Sequence, residues 1–187
     1  MFNLIVVILL VSPIVSFGAD VAWEDCGQAD RSLVFTKVGL KSPLVVDSHQ
    51  PIDIDVAFDV LDPLDSNVQI STDLRRYFSV LGIQSSVKIP CINDVGSCSG
   101  SFCHFVQSYS DLARSFAEQL NVPFSCELNA GHIQGTVNYN IKTKTFSRIP
   151  SVLLSAASGT YELVIRWTSN GHEIGCLALH TQIDIRS

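Results

Sequence analysis

Apolar and polar residues alternate at period two along most of this chain, the pattern that dictates β-strands. Between Ile52 and Val60, Ile52, Ile54, Val56, Phe58 and Val60 face one way, and Asp53, Asp55, Ala57 and Asp59 the other. Such a strand covers a core on one side and meets water on the other. After a turn containing Asp62, Pro63 and Asp65, the pattern continues through Val68, Ile70, Thr72 and Leu74. Val87 and Ile89 mark a short strand running into Pro90. Ile133, Val137, Tyr139 and Ile141 alternate with polar residues, as do Tyr161, Leu163, Ile165 and Trp167. Asn170-Gly171 then supplies a hairpin turn that needs positive φ, and Ile174 to Ile185 forms the returning strand. With a strand over Leu33 to Leu40, seven or eight antiparallel strands are predicted. The fold class is all-β, a β-sandwich.

One segment breaks the alternation. Phe102, Phe105, Val106, Tyr109, Leu112, Ala113, Phe116, Ala117 and Leu120 recur in steps of three and four, which puts them on one helical face. Asp111, Arg114, Glu118 and Gln119 occupy the other face. The spacing predicts one amphipathic helix, packed against an end of the sandwich and able to serve as a lid over a cavity.

The N-terminus changes the count of folded residues. Leu4 to Val11 are all aliphatic, Pro13 follows, and Ser16 and Gly18 form a small-x-small site. This reads as a secretory signal peptide over residues 1–18. Removing 18 of the 187 residues leaves 169, residues 19–187, one domain in size. Later apolar stretches fall well short of the roughly 20 residues a membrane span needs. All 12 basic and 18 acidic residues lie beyond residue 18, so the net charge of −6 belongs to the domain. An acidic balance excludes a basic nucleic-acid binder, and the apolar content excludes disorder. Charge is scarce for such a domain: 16% of the chain against about 25% in a typical one.

Six cysteines, Cys26, Cys91, Cys98, Cys103, Cys126 and Cys176, lie in the same 169 residues. An even count in an oxidising compartment argues for three disulfides. Cys91 and Cys98 flank a short loop that suits a local bridge. Cys26 and Cys176, if paired, close a loop of about 150 residues, worth roughly 5 kcal/mol in the chain-entropy model. That would leave Cys103 with Cys126. A metal site is the alternative, but no Cys-x-x-Cys pair occurs and the five histidines share no ligand spacing. No metal or other cofactor is expected.

The search for catalytic chemistry is nearly empty. Gly96-Ser97-Cys98-Ser99-Gly100 has the outline of a nucleophile elbow with Cys in place of Ser, yet a bridge to Cys91 would consume its thiol. Asp47-Ser48-His49 holds triad residue types in consecutive positions, which cannot adopt triad geometry. Asp53, Asp55 and Asp59 all fall on the solvated strand face. A stapled sandwich without an active site suggests a binding protein rather than an enzyme. Two classes compete: an interaction module, and a carrier holding an apolar ligand between its sheets.

The cysteine neighbourhoods carry a resemblance. Trp23-Glu24-Asp25-Cys26, Ile89-Pro90-Cys91, Gly96-Ser97-Cys98 and Phe102-Cys103 are followed by Val122-Pro123-Phe124-Ser125-Cys126. Ile149-Pro150-Ser151-Val152-Leu153, Gly159-Thr160-Tyr161 and Ile174-Gly175-Cys176 complete the order. In that order and spacing the chain resembles the lysosomal ganglioside activator proteins, a branch of the ML lipid-recognition domain family. The resemblance implies an immunoglobulin-like sandwich shaped as a cup with an apolar interior. It also implies the pairing Cys26–Cys176, Cys91–Cys98 and Cys103–Cys126. The activators carry a fourth disulfide at the mouth, for which this chain lacks both cysteines. Phe124 stands where one would be, and no Asn-x-Ser/Thr sequon occurs.

The function so implied is a secreted or lysosomal lipid-binding and transfer protein that presents glycosphingolipid to a hydrolase. The rival reading is a lipid-sensing or adhesive module without transfer. The expected partners are a lipid (glycosphingolipid, phospholipid or sterol), a transiently touched membrane surface and a lysosomal glycosidase. A chain of about 16 methylenes costs roughly 13 kcal/mol to place in water, so a carrier must offer an apolar wall. The inward strand faces predict that wall at Ile54, Val56, Phe58, Ile70, Val137, Tyr139, Leu163, Ile165 and Trp167. Candidate mouth residues are Phe105, Tyr109, Leu112, Phe116, Ile149, Val152, Leu153 and Leu154. Protonation of the five histidines in an acidic lumen would carry the net charge from −6 toward −1 and ease approach to anionic lipid.

Overall fold

The computed structural model describes residues 20–47, 50–140 and 158–186. Ten strands and two short helices follow one another: β1 (Ala22–Asp25), β2 (Leu33–Gly39), β3 (Leu44–Asp47), β4 (Ile52–Val60), β5 (Gln69–Val80), β6 (Ile83–Lys88), β7 (Ser99–Ser101), α1 (Phe102–Ser108), α2 (Ser110–Gln119), β8 (Gly131–Tyr139), β9 (Gly159–Ser169) and β10 (His172–Arg186). The large sheet runs β1-β10-β9-β5-β6, with β3 also on β10 and β7 also on β5; the small sheet runs β2-β4-β8. The expected sandwich is therefore present, with more strands than the seven or eight predicted. The additions are the short β1, β3 and β7, too brief to show alternation. β3 pairs with β10 in parallel, the exception to antiparallel pairing in the two sheets.

Register decides which side chains look into the space between the sheets, because directly opposed residues in an antiparallel ladder share a face. Four inward rows cross the large sheet. The lowest joins Gly175, Trp167 and Ile70. Above it come Asp25, Leu177, Ile165 and Thr72, then Trp23, Leu179, Leu163 and Leu74. The uppermost joins Thr181, Tyr161, Arg76 and Val87. Opposite them, β4 and β8 pair Phe58 with Ile133, Ile54 with Val137 and Ile52 with Tyr139. A bulge between Phe35 and Lys37 in β2 keeps Val38 in line with Val56.

The lower part is solid. Leu33, Val56, Val60, Leu64, Val68, Leu120, Ile133 and Val137 form one buried cluster, against which Ile54, Phe58, Phe116 and Trp167 pack. The Phe35 ring lies 5.3 Å from Trp167 and 5.8 Å from Phe58, tying the sheets together. Gly175 permits that approach, since a Cβ there would sit 2.9 Å from Leu33 Cβ. The Asp25 carboxylate accepts the Phe35 backbone N–H at 2.7 Å and pairs with Arg31, joining β1 to β2 at one edge.

At the other edge the helices close the gap. The Ser101 hydroxyl caps α1 by accepting from His104 N–H. The predicted single helix is interrupted at Tyr109, whose φ of −110° and ψ of 38° leave the helical region. The Tyr109 hydroxyl instead donates to Asp94 O at 2.6 Å, anchoring the break to the neighbouring loop. Leu120 then lies over Gly135 of β8, where a Cβ would come within 2.8 Å of Leu120 Cδ2. Disulfides Cys26–Cys176, Cys91–Cys98 and Cys103–Cys126 are formed and no cysteine is free. Cys98 is therefore not available as a nucleophile.

Candidate functional site: an apolar interior and an exposed hairpin tip

The predicted wall residues fall into two groups. Val56, Val137, Ile54, Phe58 and Trp167 belong to the packed cluster or lie directly on it, and Ile70 is buried beside Trp167. Tyr139, Leu163 and Ile165 face inward but are only half-buried and lie outside that cluster. They share this state with Trp23, Leu74 and Leu179. The interior thus changes from a filled lower half to an apolar, incompletely covered upper half.

The helix residues Phe105, Tyr109, Leu112 and Phe116 are all half-buried. Phe105 stacks on Tyr109, with ring centroids 6.5 Å apart, and Phe116 packs on the core cluster. Ile149, Val152, Leu153 and Leu154 lie outside the described residues. Residues 1–18, predicted as a signal peptide, also lie outside.

Among the described residues, the two most exposed apolar side chains lie together where sequence reasoning did not place them. β5 and β6 form a hairpin whose tip is Leu81-Gly82, with φ of 52° and 82°. Two successive positive φ values make this a type I′ turn, the kind that normally prefers Asn-Gly. Leu81 is 97% exposed and Ile83 72%, and Phe78, Val80 and Val87 are also exposed. This tip extends beyond the uppermost inward row, at the end of the sandwich away from the packed cluster. The signal was the run Val80-Leu81-Gly82-Ile83, apolar throughout and without a polar turn residue.

Polar groups surround this interior without forming a reaction centre. On the outer face of β5, Asp73 takes Arg75 and Lys88, each at 3.0 Å. Burial works to raise the Asp73 pKa, but the hydrogen bonds from Lys88 and Arg75 outweigh it and hold the carboxyl below its usual value. Tyr77 donates to Glu162 at 2.7 Å, which raises the phenol pKa. Burial raises that of Tyr161 on the inner face, with Arg76 pulling the other way. Asp94 accepts from His104 and Ser108, and its pKa is lowered by those bonds. The three residue types of a triad are present, yet the carboxylate holds both partners and the serine donates to it, so no base stands ready for a nucleophile. On the small sheet, Asp59 bonds His132 at 2.6 Å and raises the imidazole pKa. Asp55 is held low by Thr136 and Lys37. A cleft of about 650 Å³ beside β2 mixes Trp23, Val38 and Leu40 with Lys37, Asp53 and Asp55. Its charged lining suits water better than acyl chains. Among the described residues, no group of His, Cys, Asp and Glu could hold a metal ion.

Two sheets, three disulfides and inward apolar rows that are only half-buried beyond the packed cluster fit a lipid-binding domain of the ML type. The ML domain family matches residues 20–183, and the chain belongs to that family. The ganglioside GM2 activator of Mus musculus is 24% identical to it over 165 residues, covering 84% of this chain and 79% of that protein.

Proposed function

We propose that the protein carries lipid tails between its sheets, exchanges them at a membrane surface and presents a glycosphingolipid to a hydrolase. The observation that carries the reading is the bare apolar tip Val80-Leu81-Gly82-Ile83 next to the half-buried inward rows. A side chain 97% exposed contributes no burial to the fold, whereas bilayer contact would stabilise it by about 1.5–3 kcal/mol. The inward rows Trp23–Leu179–Leu163–Leu74 and Ile165 offer tails an apolar surface close to where they would leave the bilayer. Ile149, Val152, Leu153 and Leu154, with Phe105, Tyr109 and Leu112, remain proposed contributors to the mouth.

The name of the mouse relative, an activator for a ganglioside, favours a glycosphingolipid as cargo and a lysosomal glycosidase as partner. Three disulfides and the leader-like residues 1–18 favour a secreted or lysosomal destination. The test is movement of a fluorescent sphingolipid from donor to acceptor vesicles. The protein should accelerate it, and Leu81→Asp should remove most of the acceleration. Vesicle binding without any lipid movement would instead establish the sensing or adhesive module.

A further inference from the structure

The large sheet carries a cation on the wrong face. Arg75 points outward, where it shares Asp73 with Lys88. Arg31 pairs with Asp25 and Arg166 with Glu173. Arg76, one residue along, stands in the inward row with Tyr161 and Val87 as direct cross-strand partners. No Asp or Glu pairs with it among the described residues. Its Nη2 donates to Ser158 O at 3.0 Å, while its Nε is buried and has no partner. The guanidinium lies close against the Gly159 backbone, so that a Cβ on Gly159 would sit 3.0 Å from Nε.

A buried N–H without an acceptor is costly away from water. A guanidinium fork has the geometry to receive a carboxylate or phosphate on two N–H groups at once. The position matters as much as the charge. Below Arg76 on the same face is Leu74, part of the apolar row, and above it β5 runs on to the exposed tip. At about 3.4 Å per residue, Arg76 is roughly 7 Å above Leu74 and 17 Å from Leu81. That is the border between the half-buried apolar rows and the exposed tip, where the first polar group of a lipid would rest when its tails lie along those rows.

We propose that Arg76 is a selectivity residue that binds the oxyanion of an acidic lipid, one whose phosphate or carboxylate lies next to its acyl chains. This rests on the carrier part of the reading above, the holding of lipid tails between the sheets. It does not rest on the glycosphingolipid cargo, whose first group beyond the tails is an uncharged sugar, and it names a second headgroup class.

The test is competitive uptake by the full domain at neutral pH. Protein is incubated with mixed vesicles of phosphatidylcholine and phosphatidic acid, and separately of phosphatidylcholine and oleic acid. Bound lipid is identified by mass spectrometry after gel filtration. The ratio of acidic to neutral lipid is read within one sample, so a loss of total uptake does not distort it. Wild type should favour the acidic lipid over its share in the vesicle, and Arg76→Leu should lower that preference about tenfold. Arg76→Lys should keep part of it, and Arg75→Leu on the outer face should leave it unchanged. Enrichment of phosphatidic acid alone would assign a phosphate, and of oleic acid alone a carboxylate. Should Arg76→Leu fail to fold, Arg76→Gln gives the same reading with the charge removed. Lipid uptake without acidic preference, or a preference that survives removal of the charge, would overturn the role of Arg76 and leave the carrier intact. No uptake of any lipid by wild type would overturn both.

Discussion

Replacing Leu81 by Asn should strengthen the fold and weaken its hold on membranes. Leu81 occupies the left-handed region at φ 52° in front of Gly82, where the Cβ of an ordinary L-residue meets its own carbonyl at a cost of about 1–2 kcal/mol. Asn tolerates that region and makes Asn-Gly, the preferred pair for a type I′ turn. Since Leu81 is 97% exposed, its loss removes no packing. The expected gain is about 1 kcal/mol, or roughly 2–4 °C in Tm for a domain of this size. On a membrane the balance reverses. Leu81 would gain about 2 kcal/mol on entering the apolar phase, and an amide forfeits it, so vesicle partitioning should fall roughly 30-fold. Thermal melting by circular dichroism and sedimentation with vesicles read the two effects independently. A raised Tm with unchanged partitioning would refute membrane contact by the tip, and a lowered Tm would refute the turn argument.

Other consequences follow from the scaffold. The Cys26–Cys176 bridge spans 150 residues, so the double change to Ala should cost about 5 kcal/mol by the chain-entropy model, measured by denaturant unfolding. Gly96→Ala should destabilise by about 2–3 kcal/mol, because Gly96 has φ 113° and a Cβ there would meet Pro90 O at 2.2 Å. The His132 pKa is raised above 6.5 by its bonds to Asp59 and Gln134. Stability from that pair is fully present below the unfolded value and disappears as pH rises through the folded one. The Tm difference between wild type and His132→Gln should therefore be largest near pH 5 and shrink above neutrality; a difference that grows with pH would contradict it.

The sheets were legible because one face of each strand is buried and the other wet. From Ile52 to Val60 that contrast shows at every step except Ala57, which is buried on the outer side, and the structure keeps its register. Asn170-Gly171 likewise occupies a turn at φ 51° and 79°. The β5–β6 tip was not legible for the opposite reason. Its turn is built from Leu81 and Gly82 rather than polar residues, and its exposed flank Val80 and Ile83 imitates a buried run. β6 was visible only as Val87 and Ile89. Arg76 continues the alternation of Ile70, Thr72 and Leu74, which puts it inward, but its neighbours Tyr161 and Val87 appear only in the sheet register. The break at Tyr109 came from a tertiary hydrogen bond to Asp94, which helical spacing cannot reveal. Among the wall candidates, inwardness was readable from alternation. Whether an inward residue packs on the core, as Val137 does, or stays half-buried, as Leu163 does, depends on the opposing sheet.

The central claim is that the upper interior receives lipid tails instead of side chains. Native mass spectrometry of the protein isolated from a eukaryotic host tests it most directly. The account predicts a population carrying one lipid, with the bare protein refilled after exposure to vesicles. A protein that is bare as isolated and takes up no lipid from vesicles would contradict it and make the sandwich a solid one.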